Sequence, residues 1–263
     1  MLGKLFQKKG SDDAAHIPIG KRVYAIGDIH GCLDELDTVL QKIQDDCAST
    51  DLAASVFKDE EDSSAQSKPK LVFLGDYVDR GPDSKGVLDR LTKLQKTTPD
   101  TIFLKGNHEA LMLEFLAAPD ATERWLDWGG DETLQSYGIS TILGRRNEDL
   151  AAELKERLPA EHLTFLNNLS LTHQEGDYLF VHAGIRPGVP LADQKEEDLL
   201  WIRKKFHKMN VSERPSQVVV HGHQPVEKPL DAGWRIDVDT GACWSGRLTA
   251  VALEGTSRRF IST

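Results

Sequence analysis

Short apolar runs of strand length alternate with amphipathic helical patterns along the first half of the chain. The predicted strands are residues 23–26, 71–74, 102–104, 178–181, 218–220, 235–238 and 248–253, and the first predicted helices are 33–47 and 87–94. Strand-like runs are continuous rather than alternating, which is typical of strands that are covered on both faces. The β-α-β-α-β order up to residue 104 therefore predicts an α/β fold with a parallel sheet covered by helices.

The organisation of the remaining chain follows from where this periodicity changes. Residues 109–171 show only helical spacing, so we expect a small helical cap segment beside the strand ends, and a further helix is predicted over 196–208. Residues 48–70 are rich in Ser, Asp, Glu and Lys and predict a surface insertion. We expect a polar N-terminal arm at 1–20 and a single domain at 21–255.

Composition and charge narrow the class of protein. A chain of 263 residues suits one large domain, and its net charge of −10 argues against a broad nucleic-acid footprint. No apolar run approaches the roughly 18–20 residues that span a membrane, and residues 1–10 lack the apolar centre of a signal peptide. Cys32, Cys47 and Cys243 are few and scattered, which fits reduced thiols and a cytoplasmic location.

Five predicted strands end beside a glycine that is followed or preceded by Asp, Asn or His. The polar residues at these ends are Asp28, His30, Asp76, Asp79, Arg80, Asn107, His108, His182, His221 and His223. Singly, Asn107 could be a helix N-cap, Asp28 a turn residue and His182 a hydrogen-bonded histidine. Their convergence at strand carboxyl ends, where α/β sheets bind ligands, favours one common site.

The residue types predict a two-metal centre. Asp28 and His30 can bind one divalent ion, while Asn107, His182 and either His221 or His223 can bind a second. The carboxylate of Asp76 can bridge two ions about 3.5–4 Å apart, as in two-metal hydrolases. Such a pair generates a metal-bound hydroxide for in-line attack on phosphorus.

Two further roles follow from the second and third strand ends. Arg80 offers a fork of donors for phosphate oxygens. His108 adjoins a proposed ligand and is better placed as the general acid for the leaving group, with Asp79 orienting it and raising its pKa.

The motifs resemble those of the phosphoprotein phosphatase family of calcineurin-like metallophosphoesterases, in its bacterial serine/threonine phosphatase form. They are GDIHG at 27–31, GDYVDRG at 75–81, GNHE at 106–109, VHAG at 181–184 and HGHQP at 221–225. The resemblance implies a β-sandwich flanked by helices. It implies metal binding by Asp28, His30, Asp76, Asn107, His182 and His223, and phosphate binding by Arg80, Asn107 and His108. A family segment like residues 200–203 adds Arg203 as a second phosphate-binding and catalytic arginine.

The resemblance leaves two substrate classes in view. Asp79, Arg80 and Glu109 match the motifs of the protein phosphatases, whereas residues 239–246 resemble bacterial dinucleoside tetraphosphate hydrolases. The first expectation is a phosphomonoesterase acting on phosphoserine and phosphothreonine in proteins or peptides, with two Mn²⁺ ions or alternatively Fe, Zn²⁺ or Co²⁺. The alternatives are a hydrolase of dinucleoside polyphosphates or nucleotide caps, with Trp125 and Trp128 stacking on bases, and an inactive phosphoprotein-binding module.

Overall fold

Ten strands and nine α-helices form within residues 14–48, 69–121, 124–140 and 142–263, the part of the chain that the computed structural model describes. The strands are β1 (Arg22–Ile26), β2 (Lys70–Phe73), β3 (Ile102–Phe103), β4 (Thr172–Glu175), β5 (Tyr178–Val181), β6 (Val218–His221), β7 (Leu230–Asp231), β8 (Arg235–Asp237), β9 (Thr249–Glu254) and β10 (Ser257–Ser262). The helices are α1 (Leu33–Ala48), α2 (Ser84–Thr97), α3 (Asn107–Ala117), α4 (Asp131–Ser136), α5 (Asn147–Arg157), α6 (Ala160–Asn167), α7 (Glu196–Trp201), α8 (Lys204–His207) and α9 (Ala242–Ser245).

The strands form two five-stranded mixed sheets. The first has the order β10-β9-β1-β2-β3, with β1, β2 and β3 parallel and β9 antiparallel to β1. The second has the order β4-β5-β6-β8-β7, with β5, β6 and β8 parallel. The prediction of an α/β fold in the form of a β-sandwich flanked by helices is confirmed.

The alternation of side chains along β1 shows how the layers are built. Val23 and Ala25 lie in the core between the two sheets, whereas Tyr24 and Ile26 face the helices on the outside of the first sheet. Because successive side chains of a strand point to opposite faces, a strand covered on both sides is apolar at every position. This is why these strands read as continuous apolar runs in the sequence.

The helices of the segment 109–171 share a core with α1 and α2. Met112 and Phe115 of α3, Leu134 of α4 and Leu154 of α5 are buried in the same cluster as Phe73 of the first sheet. The helices are therefore part of the layer that covers this sheet. Four of the five residues in the wide turn Leu126–Gly130 line the cleft described below.

Two elements differ from the sequence prediction. The helix predicted at 196–208 is interrupted, because Ile202 is extended and Arg203 adopts φ −132° and ψ −105° between α7 and α8. Strand β10 continues the first sheet beyond residue 255, where the predicted domain ended. The exposed or half-exposed side chains of this edge strand give it little apolar signal.

The ends of the predicted segments are partly described. Residues 1–13 of the predicted arm and 49–68 of the predicted insertion lie outside the described residues. Ile17 is fully buried between the sheets, and its backbone N–H donates to the carbonyl of Gly255 at 2.8 Å. None of the described helices has both the length and the apolar character that a membrane crossing requires.

An ion-pair cluster at Glu175 joins the two sheets and generates a stability prediction. Lys21 before β1 and Lys70 of β2 contact the two carboxylate oxygens of Glu175 in β4 at 2.8 and 2.7 Å. Burial raises the pKa of Glu175, but the two lysines outweigh it and lower this pKa to about 2. Since the folded-state pKa lies below the unfolded value, the stabilisation is present above about pH 4.5 and is lost as the pH falls toward about 2.

We expect Glu175→Gln to lower the free energy of unfolding at pH 7 by about 1–2 kcal/mol, because two lysines lose a partly buried partner. Denaturant unfolding between pH 7 and 3 measures this, and the loss should shrink at the acidic end. Glu196→Gln is the control, because Glu196 is about half exposed in its pair with Lys105. Equal effects of the two substitutions at pH 7 would contradict the prediction.

Candidate metal centre

Asp76 lies at the middle of the site, three residues after the end of β2. Its side chain is almost completely buried, and its two oxygens face different imidazoles. Oδ1 lies 3.4 Å from Nε2 of His182, and Oδ2 lies 3.4 Å from Nε2 of His30. A carboxylate whose two oxygens face two separate donor groups has the geometry of a bridging ligand.

The tautomers of the two imidazoles are set by backbone carbonyls. Nδ1 of His30 lies 2.9 Å from the carbonyl of Val78, and Nδ1 of His182 lies 2.9 Å from that of Leu74. Each Nδ1–H therefore donates, which leaves the Nε2 lone pair directed at Asp76. Burial lowers the pKa of His30 to about 3 and also lowers the pKa of His182, so both rings are neutral at pH 7.

Asp28, Asn107 and His223 complete the ring of donors. Oδ1 of Asn107 lies 2.9 Å from Nε2 of His182, and Nδ1 of His223 lies 3.2 Å from the same atom. Asp28 accepts the backbone N–H of His223 through Oδ2 at 3.0 Å. Asn107 is the first residue of α3 and Gly106 is the N-cap, so the interpretation of Asn107 as a cap is wrong.

An orphaned oxygen supports a cation beside Asp28. Oδ1 of Asp28 is buried and has no hydrogen-bond partner among the described residues. Burial, followed by the charges of Asp239 and Asp76, raises the pKa of Asp28 well above its usual value. A bound divalent ion would supply the missing partner and reverse this shift, because it is the largest local charge in such a site.

Two groups of donor atoms meet at Asp76. His30, Asp76 and His108 form one, and Asp76, His182 and His223 form the other; within each, the donor atoms lie within 4.8 Å of one another. The residues therefore fit two divalent ions that share Asp76. Mixed oxygen and imidazole donors suit Mn²⁺, Fe, Zn²⁺ and Co²⁺ alike.

His108 is held by Asp79 from the side away from the donors. Nδ1 of His108 lies 2.6 Å from Oδ2 of Asp79, while Nε2 is buried and without a partner among the described residues. Burial by itself lowers the pKa of His108, but the carboxylates of Asp76 and Asp79 outweigh it and raise that pKa. The ring can therefore carry a proton at Nε2, as a general acid requires.

Trp125 and Thr133 hold the carboxylate of Asp79 in place, a role that the sequence did not predict for either residue. The indole N–H of Trp125 donates to Oδ2 of Asp79 at 2.9 Å, and the hydroxyl of Thr133 donates to Oδ1 at 2.7 Å. Trp125 is fully buried and packs against Phe115. Trp125 therefore holds Asp79, the partner of His108, in place. It has no exposed surface on which a substrate base could stack, so the predicted stacking role of Trp125 is wrong.

Both predicted arginines border the site. Nη1 of Arg80 lies 2.8 Å from Nε2 of His30, and Nε of Arg203 donates to Nε2 of His223 at 3.1 Å. Arg203 reaches this position because the chain breaks its helix there. The two cations thus approach the two donor groups from separate sides.

Glu109 has a structural role in the site that the sequence did not predict. Its buried carboxylate accepts the backbone N–H groups of Asp76, Tyr77 and Gly106 at 2.9, 2.7 and 2.8 Å. It therefore joins the second and third motif loops. Its place three residues after Gly106, at the start of α3, was the available signal, because glutamate at this position commonly accepts the N-cap N–H.

Backbone strain is concentrated at the same loops. The described non-glycine residues with positive φ are His30, Asp76, Asp79, Arg80 and His223, with φ between 48° and 73°. Left-handed conformations cost about 1–2 kcal/mol for such residues and persist only where surrounding contacts enforce them. Every one of them is a predicted site residue.

His221 faces away from the donors. Its Nε2 lies 3.1 Å from Nη1 of Arg235 and 3.8 Å from Oδ2 of Asp237, behind the ring of donors. His207 joins this group, whose donor atoms also lie within 4.8 Å of one another. The guanidinium of Arg235 already places a cation among them. The structure therefore brings His223, and not His221, to Asp76.

An open cleft of about 1060 Å³ leads to the donors. Its floor includes Arg80, Asn107 and Arg203, and its walls carry Trp128, Trp201, Trp244, Asp127, Asp131 and Glu132. Arg80 lies over the ring of Trp244 at 5.0 Å, and the rings of Trp128 and Trp201 are 5.5 Å apart. The cleft thus combines a basic floor with aromatic and acidic walls.

Known proteins resemble the chain over most of its length. The sequence pattern described as calcineurin-like phosphoesterase matches residues 21–252. The asymmetrical bis(5'-nucleosyl)-tetraphosphatase PrpE of Bacillus thuringiensis (strain Al Hakam) is 26% identical over 243 residues, covering 86% of this chain and 88% of that protein.

Two solved structures share the fold. A candidate diadenosine tetraphosphatase superposes with a TM-score of 0.61 at 22% identity, over 95% of this chain and 98% of its own. A cold-active protein tyrosine phosphatase superposes with a TM-score of 0.56 at 20% identity, over 94% of this chain and 80% of its own.

The close approach of Gly222 to Asp28 generates a prediction about ion binding. A Cβ at residue 222 would lie 2.0 Å from Oδ1 of Asp28, the orphaned oxygen. We expect Gly222→Ala to displace this carboxylate and reduce bound metal from two ions toward one, measured by plasma mass spectrometry after Mn²⁺ loading. Gly233→Ala is the control, because it adds strain at a positive φ in open space and should keep both ions. Full occupancy in Gly222→Ala would exclude Asp28 as a ligand.

Proposed function

The chain belongs to the calcineurin-like phosphoesterase family, and from this premise we propose that it hydrolyses dinucleoside polyphosphates with two bound divalent ions. The observation that carries the proposal is the placement of Arg80 and Arg203. Each contacts a different donor histidine, and both line the floor of the same cleft. Two arginines that contact two different donor groups can bind oxygens of neighbouring phosphates in a chain.

The similarity to PrpE supports the same substrate class. That relative is named as a tetraphosphatase of bis(5'-nucleosyl) substrates, and it aligns with 86% of this chain. The main expectation from the motifs alone was a protein serine/threonine phosphatase. The dinucleotide alternative is now the better supported of the two.

The residues of the chain would divide the reaction between them. Two divalent ions would be held by Asp28, His30, Asp76, Asn107, His182 and His223, and when bound they would supply Lewis-acid activation of water and of phosphoryl oxygens. Arg80 and Arg203 bind and orient the phosphate oxygens. His108 delivers the proton on Nε2 to the leaving oxygen, and Asp79 keeps the ring oriented through Nδ1.

The acidic wall of the cleft favours phosphoproteins as a second candidate. Asp127, Asp131 and Glu132 line the same cleft as the arginines and could bind a basic residue that flanks a phosphorylated side chain. A catalytically inactive phosphoprotein-binding module would need the arginines alone. It has no use for a buried acid such as His108 held by its own carboxylate.

Substrate preference tests the proposal directly. We expect the Mn²⁺-loaded chain to cleave diadenosine tetraphosphate with a kcat/KM at least about 10-fold above that for a phosphothreonine peptide with basic flanking residues, since only the former spans both arginines. A coupled release assay with both substrates under one set of conditions measures this. Faster cleavage of the peptide would overturn the proposal in favour of a protein phosphatase. If two ions are bound and neither substrate is cleaved, the result would favour the phosphoprotein-binding module.

Substitution of His108 tests the acid. We expect His108→Asn to lower kcat by about 10²–10⁴-fold, the usual contribution of general acid–base catalysis, while two ions remain bound. The loss should be greatest for a substrate with an alkoxide leaving group, such as a phosphothreonine peptide, and smaller for diadenosine tetraphosphate or p-nitrophenyl thymidine 5'-monophosphate, whose leaving groups are weak bases. Loss of an ion in His108→Asn would instead make this residue a metal ligand, in line with its place beside His30 and Asp76.

A further inference from the structure

Exposed tryptophans stand on two sides of the cleft. Trp128, in the turn Leu126–Gly130, is 38% exposed, and Trp244, in α9, is 64% exposed, although both line the cleft that leads to the buried donors. Exposed aromatic side chains in a cleft commonly mark a binding site for a ligand. Trp128 and Trp201 meet at 57° and form a corner, while Trp244 stands beside Arg80.

The position of each tryptophan relative to the donors is set by ring contacts. Trp201 lies edge-on to His223 with centroids 6.1 Å apart, which places the Trp128–Trp201 corner beside the second group of donors. Trp244 lies under the guanidinium of Arg80, which places it beside the first group. An aromatic wall therefore adjoins each end of the basic floor.

We propose that the Trp128–Trp201 corner and Trp244 are two nucleobase subsites that hold the two ends of one dinucleotide. The inference rests on the proposed function and names how that same site selects its substrate. Base–aromatic stacking is tolerant of base identity, since every base has a π-face. The subsites therefore select for two aromatic ends joined by phosphates.

The charges in the cleft orient such a molecule. Asp127, Asp131 and Glu132 lie on the wall that carries Trp128, so this wall repels phosphates and accepts N–H donors from a neutral base. Arg80 and Arg203 attract the phosphates to the floor. A dinucleotide can satisfy both demands at once, because its bases are neutral and its charge lies between them.

The alternative is that these tryptophans only support neighbouring catalytic groups. Trp244 contacts Arg80, and the carbonyl of Gly129, next to Trp128, accepts the backbone N–H of Arg80 at 3.1 Å. Loss of a supporting residue would weaken binding of any phosphate ligand. Loss of a base subsite would weaken the binding only of ligands that carry a nucleoside.

A pair of matched ligands separates these possibilities. Adenosine 5'-methylenediphosphonate and methylenediphosphonate share a phosphonate group that resists cleavage between its two phosphorus atoms, and only the first carries a base. Titration calorimetry of the Mn²⁺-loaded full chain gives the ratio of their dissociation constants. A loss of phosphate binding through Arg80 would change both dissociation constants alike, so it cancels in their ratio.

We expect Trp128→Ala or Trp244→Ala to reduce the preference for the nucleoside-bearing ligand by about 10-fold, and the pair together to abolish it. Trp128→Phe should restore most of the preference, because a ring remains. Phe260→Ala is the matched control, since Phe260 is a similarly exposed aromatic (37%) on the edge strand β10 and should behave as wild type. The KM for diadenosine tetraphosphate should rise in step, by about 10-fold for each tryptophan.

The outcomes distinguish this inference from the proposed function. An unchanged ratio in the double variant overturns the base subsites, even if the chain cleaves diadenosine tetraphosphate. A ratio that falls in the variants while the dinucleotide is not cleaved supports the subsites and removes the proposed function. Tighter binding of a basic phosphopeptide than of the nucleotide, lost in Asp131→Asn and not in Trp128→Ala, would also overturn the subsites.

Discussion

The buried charge of Asp76 is the constraint on which the surrounding loops depend. Burial raises its pKa, whereas the imidazoles of His182, His108 and His30 lower it when they are protonated and hold it below its usual range. Among these three rings, only His108 has its own pKa raised. The backbone N–H of His108 donates to Oδ1 at 3.1 Å. Because an unpaired buried carboxylate costs several kcal/mol, these partners must all converge on one point.

The same convergence explains where the chain accepts strain. The backbone carbonyl of Asp76 accepts the N–H groups of Ile29 and His30 at 3.0 and 2.8 Å, and its own N–H donates to Glu109. These bonds hold the first, second and third motif loops together. They offset the cost of left-handed φ at residues such as His30 and Asp76, which point their side chains inward at a sharp turn.

The centre and the cleft above it have different chemical roles. The donors around Asp76 suit phosphoester hydrolysis in general and do not distinguish a nucleotide from a phosphoprotein, because both present the same phosphoryl group. The walls of the cleft differ in chemistry from the centre, because Trp128 and Trp244 are aromatic and Asp131 is acidic.

The sequence alone determined the parts of the protein whose signals are local. The apolar runs before Asp28, Asp76, Asn107 and His182 predicted the strands, and the motifs predicted which side chains meet at their ends. The strand prediction is confirmed because strand periodicity acts over a few residues. The structure also brings the motif side chains together at tight glycine turns, which are equally local. The half-polar strand β10 escaped prediction because an edge strand carries little apolar signal.

Only the tertiary structure decided the contacts between segments distant in sequence. The hydrogen bond from Trp125 to Asp79 joins residues 46 positions apart, and nothing local distinguishes Trp125 from the more exposed Trp128. The choice of His223 over His221 and the break that brings Arg203 to the site likewise depend on how loops pack. The physical reason is that burial and long-range hydrogen bonds, unlike periodicity, are properties of the assembled fold.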